Sequence, residues 1–395
     1  ALIPLALFPL LGIADAKAVA TPYANHLIFL FLGGFIIALA VQKWNLHRRI
    51  ALKTLQLVGF SRGRLVLGFM IATAFLSMWI SNTATTMIMI PIGIAVIDRL
   101  RVSENAQAND KFGTALMLSI AYAASIGGIG TLIGTPPNIV LANALDELYG
   151  MELDFGRWLM VGLPLVIIFL PLAWIYLTRF AFKLQTGTLT GGREIVRAEM
   201  LALGPMSSEE KRVLGVFAVV VFLWIFSVPK ELGGITIPGF QSIFPGATDA
   251  TIAMLGAVAL FFIPAKSERR GLVAWKDARN LPWGILILFG GGLALAEGFN
   301  ITGLGEWIGI QVEFFARYPE LALIVAVVVL IIFLTELTSN TATTAMILPI
   351  LAGVATGIGE SPLMLMVPAT IAASCAFMLP VATPPNAIVF ASGQV

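Results

Sequence analysis

One string of six residues occurs twice in the chain. Ser81-Asn82-Thr83-Ala84-Thr85-Thr86 reappears letter for letter as Ser339-Asn340-Thr341-Ala342-Thr343-Thr344, and a proline stands ten residues after each serine, at Pro91 and Pro349. Further on, Thr135-Pro136-Pro137-Asn138 is matched by Thr383-Pro384-Pro385-Asn386. Hydroxyl and amide oxygens suit a hard cation such as sodium, as oxygen shells suit calcium. The same groups can donate hydrogen bonds to an anion. A half-helix starting just after each Ser-Asn-Thr tip would aim its N-terminal N–H groups and positive dipole end at one place. The residue before each Thr-Pro-Pro, Gly134 and Ala382, can present a free carbonyl. Two mirrored cation cages flanking one central cavity follow. No basic residue stands near either tip, so bound cations would supply the positive charge that holds an anion.

A single Ser-Asn-Thr in a membrane helix would read as interhelical hydrogen-bonding glue. Its duplication, with a matched proline and a duplicated Thr-Pro-Pro-Asn, favours a binding site. Glu336, three residues before Ser339, is an intramembrane carboxylate and therefore a functional candidate. Met78 stands at its place in the first copy, so a structural hydrogen bond and a proton-carrying role are both open. Glu297 reads as interfacial, and Asp98 and Asp249 read as solvated span ends. There is no GxxxxGK[ST] phosphate loop, HExxH or CxxC, which argues against a nucleotide-driven pump and other enzyme chemistry. The lone Cys375 forbids an intrachain disulfide, and His26 and His47 are too few for a histidine-rich metal site.

These motifs need elements to hold them in a membrane. Of 395 residues, 58% are hydrophobic and 12% charged, and the mean hydropathy is +0.93; soluble domains carry about a quarter charged residues. The chain is a polytopic membrane protein, for which about 20 apolar residues make a span. Residues 1–13 read as the end of one span in a chain truncated at its start, and 25–41 as the next. The basic loop 42–64 holds Lys43, Arg48, Arg49, Lys53, Arg62 and Arg64 without an acidic residue, and is cytoplasmic by the positive-inside rule. Residues 65–98 form a re-entrant hairpin whose tip is Ser81-Asn82-Thr83. It returns to a loop with Arg99, Arg101 and Lys111 on the same side, diluted by Asp98, Glu104 and Asp110.

Pro136-Pro137 cannot sit in an undisturbed helix, so 112–149 is one span cut into two half-helices. It leads to an acidic outer loop with Asp146, Glu147, Glu152 and Asp154. Residues 158–178 return inward, and 183–211 form a cytoplasmic amphipathic connector. The second half runs through spans at 212–228, 248–264 and 282–298, with the basic loop 266–279 inside. An outer-surface amphipathic helix is expected over 300–320, with Glu306, Glu313, Arg317 and Glu320. The second hairpin, 321–357, then enters from outside, and the second broken helix spans 362–395. Residues 1–182 and 212–395 are thus inverted-topology repeats, the architecture of secondary transporters. The fold class is all-α, multi-pass, in the cell membrane.

At these motifs the chain resembles the divalent anion/sodium symporters, which include INDY-type dicarboxylate transporters and the animal sodium–dicarboxylate and sodium–citrate carriers. The two tips and two Thr-Pro-Pro breaks carry the likeness. So does the signature Ala373-Ser374-x-x-Phe377-x-x-Pro380-Val381-Ala382-x-x-x-Asn386-x-Ile388-Val389. The resemblance implies a homodimer with a scaffold and an elevator-like transport domain made of both hairpins and both broken helices. It implies a first sodium site at Ser77, Ser81, Asn82 and the Gly130 carbonyl. A second would use Thr335, Ser339, Asn340 and the Ala382 carbonyl. Substrate carboxylates would meet Asn82, Thr83, Asn340, Thr341, Thr383 and Pro384, with Thr135 and Pro136 as mirror partners. The chain ends appear shorter than the family's, which leaves the site untouched.

The expectation is a sodium-coupled symporter of a C4-dicarboxylate such as succinate, with sodium as coupling ion, no organic cofactor and no nucleic-acid partner. The alternatives are a sodium–sulfate symporter, a dicarboxylate exchanger, a channel, and a non-transporting membrane subunit.

Overall fold

The computed structural model describes residues 1–103, 106–184, 192–232, 234–266, 268, 270–304, 307, 310–311 and 317–395. The helices of the first half are α1 (Ile3–Leu10), α2 (Ala16–Ala20), α3 (His26–Lys43), α4 (Leu46–Val58), α5 (Arg62–Ser77), α6 (Asn82–Ser103), α7 (Ala106–Ile129), α8 (Pro136–Tyr149) and α9 (Phe155–Ile175). The second half contains α10 (Gly192–Leu203), α11 (Ser208–Ile225), α12 (Phe240–Ile243), α13 (Asp249–Phe262), α14 (Trp275–Ala278), α15 (Trp283–Thr302), α16 (Glu320–Leu337), α17 (Asn340–Ile358), α18 (Pro362–Ala373) and α19 (Pro384–Ala391). Among the described residues, five segments are long and apolar enough to cross a membrane: 16–43, 111–129, 155–181, 320–337 and 340–358. The chain is a multi-pass membrane protein.

Local chemistry accounts for the helix ends. The Asn25 side chain accepts the Leu27 N–H at 2.9 Å to start α3, and Asp154 accepts that of Arg157 at 2.9 Å to start α9. Ser207 and Glu210 close a reciprocal capping box on α11, satisfying N–H groups that a helix start leaves orphaned. Both Thr-Pro-Pro motifs place proline at the first helical position, where its missing N–H costs nothing.

The two interrupted helices interlock. α7 packs against both arms of the first hairpin, α5 and α6, and α18 against both arms of the second, α16 and α17. Each second half then crosses to the other repeat: α8 lies against α17 and α18, and α19 against α6 and α7.

Three expectations are corrected. Two small antiparallel hairpins, β1 (Lys230–Leu232) with β2 (Ile235–Ile237) and β3 (Pro264–Ala265) with β4 (Arg270–Gly271), interrupt an otherwise helical fold. The basic stretch 42–64 is not a loop but chiefly the amphipathic helix α4, whose apolar face buries Leu46, Ala51, Leu52 and Leu55. Asp249 is not solvated. It is buried, and its Oδ2 accepts the Phe155 N–H at 2.7 Å. Positions 305–306, 308–309 and 312–316 of the expected surface helix over 300–320 lie outside the described residues, as do positions 185–191 of the connector.

One buried ion pair joins α4 to the connector. Arg49 donates to both carboxylate oxygens of Glu210, at 2.8 and 3.1 Å, and to the Gly204 carbonyl at 3.0 Å. The two side chains keep 8% and 5% of their surface. Removing one partner strands a buried charge, which costs about 3–5 kcal/mol, whereas replacing both with apolar groups is often neutral. Thermal unfolding in detergent therefore shows a large loss of stability for Glu210→Ala, and substantial recovery when Arg49→Met is added.

Candidate functional site

The first tip is the four-residue turn between α5 and α6, residues 78–81, and the second is the two-residue turn between α16 and α17. Each starts a half-helix at its asparagine, Asn82 or Asn340. Just before each tip a buried hydroxyl faces two acceptor oxygens. Ser77 Oγ lies 2.8 Å from Asn82 Oδ1 and 2.7 Å from the Ala124 carbonyl. Thr335 Oγ1 lies 2.7 Å from Asn340 Oδ1 and 2.9 Å from the Ala373 carbonyl. A hydroxyl has one proton to donate, so it cannot fully answer both oxygens, and three oxygens converge in each cluster. Converging neutral oxygens are what a sodium cage requires. The Ala124 and Ala373 carbonyls were not foreseen, and backbone oxygens leave no mark in a sequence.

The other expected residues gather around these clusters to different degrees. The Ser81 hydroxyl accepts the Ala84 N–H at 3.4 Å, while Ser339 makes no such capping bond. Thr86 and Thr344 donate back to the Asn82 and Asn340 carbonyls at 2.8 and 2.7 Å, closing the first turn of each half-helix. Gly128 lies against the first tip: a Cβ there would fall 2.5 Å from Asn82 Oδ1, so only glycine admits that approach. Thr341 lines a small apolar cavity between α8, α15 and α17. Thr135 and Thr383 are both buried, and only Thr383 caps its helix, accepting the Asn386 N–H at 3.4 Å. Among the described residues no hydrogen bond links one tip to the other.

The breaks repeat at the level of single hydrogen bonds. Asn138 Nδ2 donates to the Gly128 and Thr131 carbonyls at 3.1 and 2.7 Å, and Asn386 Nδ2 to the Ala376 and Leu379 carbonyls at 3.0 and 3.1 Å. All three pairs of positions share the same offset of 248 residues. So do Ile129 and Phe377, whose carbonyls accept Trp158 Nε1–H and the Tyr122 hydroxyl, each at 2.9 Å. Among the described residues no donor reaches the Gly130 carbonyl or its counterpart at Met378, nor the Gly134 and Ala382 carbonyls.

The two copies differ at Met78 and Glu336. In the first, the Thr131 hydroxyl donates to the Met78 carbonyl. In the second, buried Glu336 accepts the Met378 N–H at 2.9 Å and the Leu379 N–H at 2.8 Å. Both carboxylate oxygens are thereby occupied in holding the break, which is the hydrogen-bonding role of the two open for this residue. Glu336→Gln replaces one acceptor with a donor facing an N–H. A buried group left unpaired costs about 1–3 kcal/mol, so Glu336→Gln lowers the unfolding temperature and the uptake rate together. The pH profile of the remaining uptake stays that of the parent, since no proton carrier is lost.

Comparison with known proteins identifies the family of the chain. The family model described as the sodium:sulfate symporter transmembrane region matches residues 1–395. The chain is 47% identical over 400 residues to the sodium-dependent dicarboxylate transporter SdcS of Staphylococcus saprophyticus, and 45% identical over 403 residues to SdcS of Staphylococcus aureus. Both alignments cover all of this chain and 76% of the relative. Among solved structures, that of Neisseria gonorrhoeae MtrF, described as illuminating a class of antimetabolite efflux pumps, superposes with a TM-score of 0.65 over 98% of this chain and 78% of the other. At 14% identity that likeness concerns the fold alone.

Proposed function

The chain belongs to the sodium:sulfate symporter family, and from that premise we propose that it is a sodium-coupled symporter of C4-dicarboxylates such as succinate. The family is one of transporters, so the protein is a transporter and not an enzyme. The carrying observation is the pair of matched oxygen clusters, Ser77–Asn82–Ala124 and Thr335–Asn340–Ala373, each with three oxygens converging around one hydroxyl. Sodium is hard and oxygen-seeking, and neutral hydroxyl, amide and carbonyl oxygens answer it without fixing a charge in the membrane. The sodium-dependent dicarboxylate transporters to which the chain is 45–47% identical support the substrate class.

In this reading the first sodium sits with Ser77, Ser81, Asn82 and the Gly130 carbonyl. The second sits with Thr335, Ser339, Asn340 and the Ala382 carbonyl. The substrate carboxylates meet Asn82, Thr83, Asn340, Thr341 and the Thr383-Pro384 turn, with Thr135-Pro136 opposite. Empty cages repel a dianion with their oxygens, and filled cages attract it. Coupling is that change of sign. The hairpins and interrupted helices move as one body past a scaffold, in a homodimer, and no organic cofactor takes part.

Uptake of radiolabelled succinate into proteoliposomes tests the reading. Accumulation above equilibrium under an inward sodium gradient, and none under potassium, is the expected result. Uptake driven only by internal succinate would assign an exchanger, and competition by sulfate but not by succinate analogues would assign a sulfate symporter.

A further inference from the structure

Asn138 and Asn386 belong to neither the tips nor the ligand sets above, yet each does the same unusual thing. One side-chain amide forks to two carbonyls on the far side of a helix break. The amide's orientation follows from its partners, because only the NH₂ end can face two acceptors. In both copies Oδ1 is buried without a hydrogen-bond partner. Two halves of the chain with different surrounding residues thus keep the same two bonds and the same unfilled oxygen. Leaving a buried acceptor unmet is costly, so its recurrence asks for a reason beyond packing.

The reason lies in which carbonyls the fork occupies. In the first break it fills Gly128 and Thr131, Trp158 fills Ile129, and the Gly130 carbonyl between them is left open. In the second it fills Ala376 and Leu379, Tyr122 fills Phe377, and the Met378 carbonyl is left open. We infer that Asn138 and Asn386 are positioning residues of the two cation sites: each fork pins the carbonyls flanking the break, so that the unfilled ones stay turned to the cation. The inference rests on the sodium-coupled reading above and deepens it. It adds to the second site the Met378 carbonyl, whose peptide plane Glu336 holds from the other side through the Leu379 N–H.

The test uses the full chain in proteoliposomes, with succinate uptake measured against sodium and against succinate. Asn138→Asp and Asn386→Asp keep the side-chain shape and an oxygen but delete both donors. A new carboxylate near a cation would by Coulomb attraction alone tighten sodium binding. Weaker binding therefore reports the lost fork. Two hydrogen bonds are at stake in each copy, so the half-saturating sodium concentration rises about tenfold or more in either variant. The succinate KM at saturating sodium stays within about twofold. Asn138→Gln, which keeps the donors on a longer arm, recovers part of the sodium affinity.

Should Asn138→Asp fail to fold, Asn386→Asp and Asn138→Ser give the same reading. Sodium half-saturation unmoved in these variants, or sodium and succinate constants worsening together, overturns the inference while sodium-dependent uptake by the parent leaves the functional reading standing. Sodium-independent uptake by the parent chain overturns the functional reading first, and this inference with it.

Discussion

The whole architecture depends on one constraint: backbone polar groups in hydrocarbon must find partners inside the protein. A continuous helix meets it automatically. This chain breaks four helical paths, at residues 78–81, 130–135, 338–339 and 374–383, and each break exposes carbonyls and N–H groups that must be answered. Most are answered by side chains from neighbouring elements: Trp158, Tyr122, Asn138, Asn386, Thr131 and Glu336. Among the described residues the Gly130, Gly134, Met378 and Ala382 carbonyls remain without a donor. Structural necessity thus leaves at each break oxygens that cation chemistry could use.

The two halves reach that arrangement by different chemistry where their surroundings differ. α9 covers the first break closely, with Gly162 against the Ile129 and Gly130 backbone, so a hydroxyl-to-carbonyl bond suffices there. Around the second break Met378 and Val381 are largely exposed, and a buried carboxylate takes two N–H groups instead. The first half is also anchored to the rest of the fold by aromatic stacking. Trp79 at the tip stacks on Phe155, Phe155 stacks on Trp224, and Asp249 ties the Phe155 N–H to the start of α13. In this conformation the first tip therefore packs against α9, α11 and α13 through a column of aromatic rings.

Much of this was legible in the sequence, because the repeat is written in side chains. The hairpin read as 65–98 is α5 and α6, residues 62–103, and that read as 321–357 is α16 and α17, residues 320–358. Proline pairs marked both breaks, since no helix runs through them. The pairing of Ser77 with Asn82 and of Thr335 with Asn340 came from family resemblance and is reproduced in space. What escaped were contacts between distant segments or with backbone atoms. The Ala124 and Ala373 carbonyls carry no residue-type signal. Asp249 looked like an ordinary span-end acid because its partner is a backbone N–H nearly a hundred residues earlier. Arg49 reads as a loop charge by charge density alone, whereas the apolar periodicity of Leu46–Val58 marks a helix.

The central claim is that filled cation cages create the anion site, and linkage tests it most directly. Succinate binding to the purified protein should be titrated calorimetrically in sodium and in potassium, and sodium binding with and without succinate. Binding coupled through adjacent sites is reciprocal. The account predicts succinate heat in sodium only, and a succinate-induced gain in sodium affinity equal to the sodium-induced gain for succinate. Succinate binding of equal strength in potassium would contradict it.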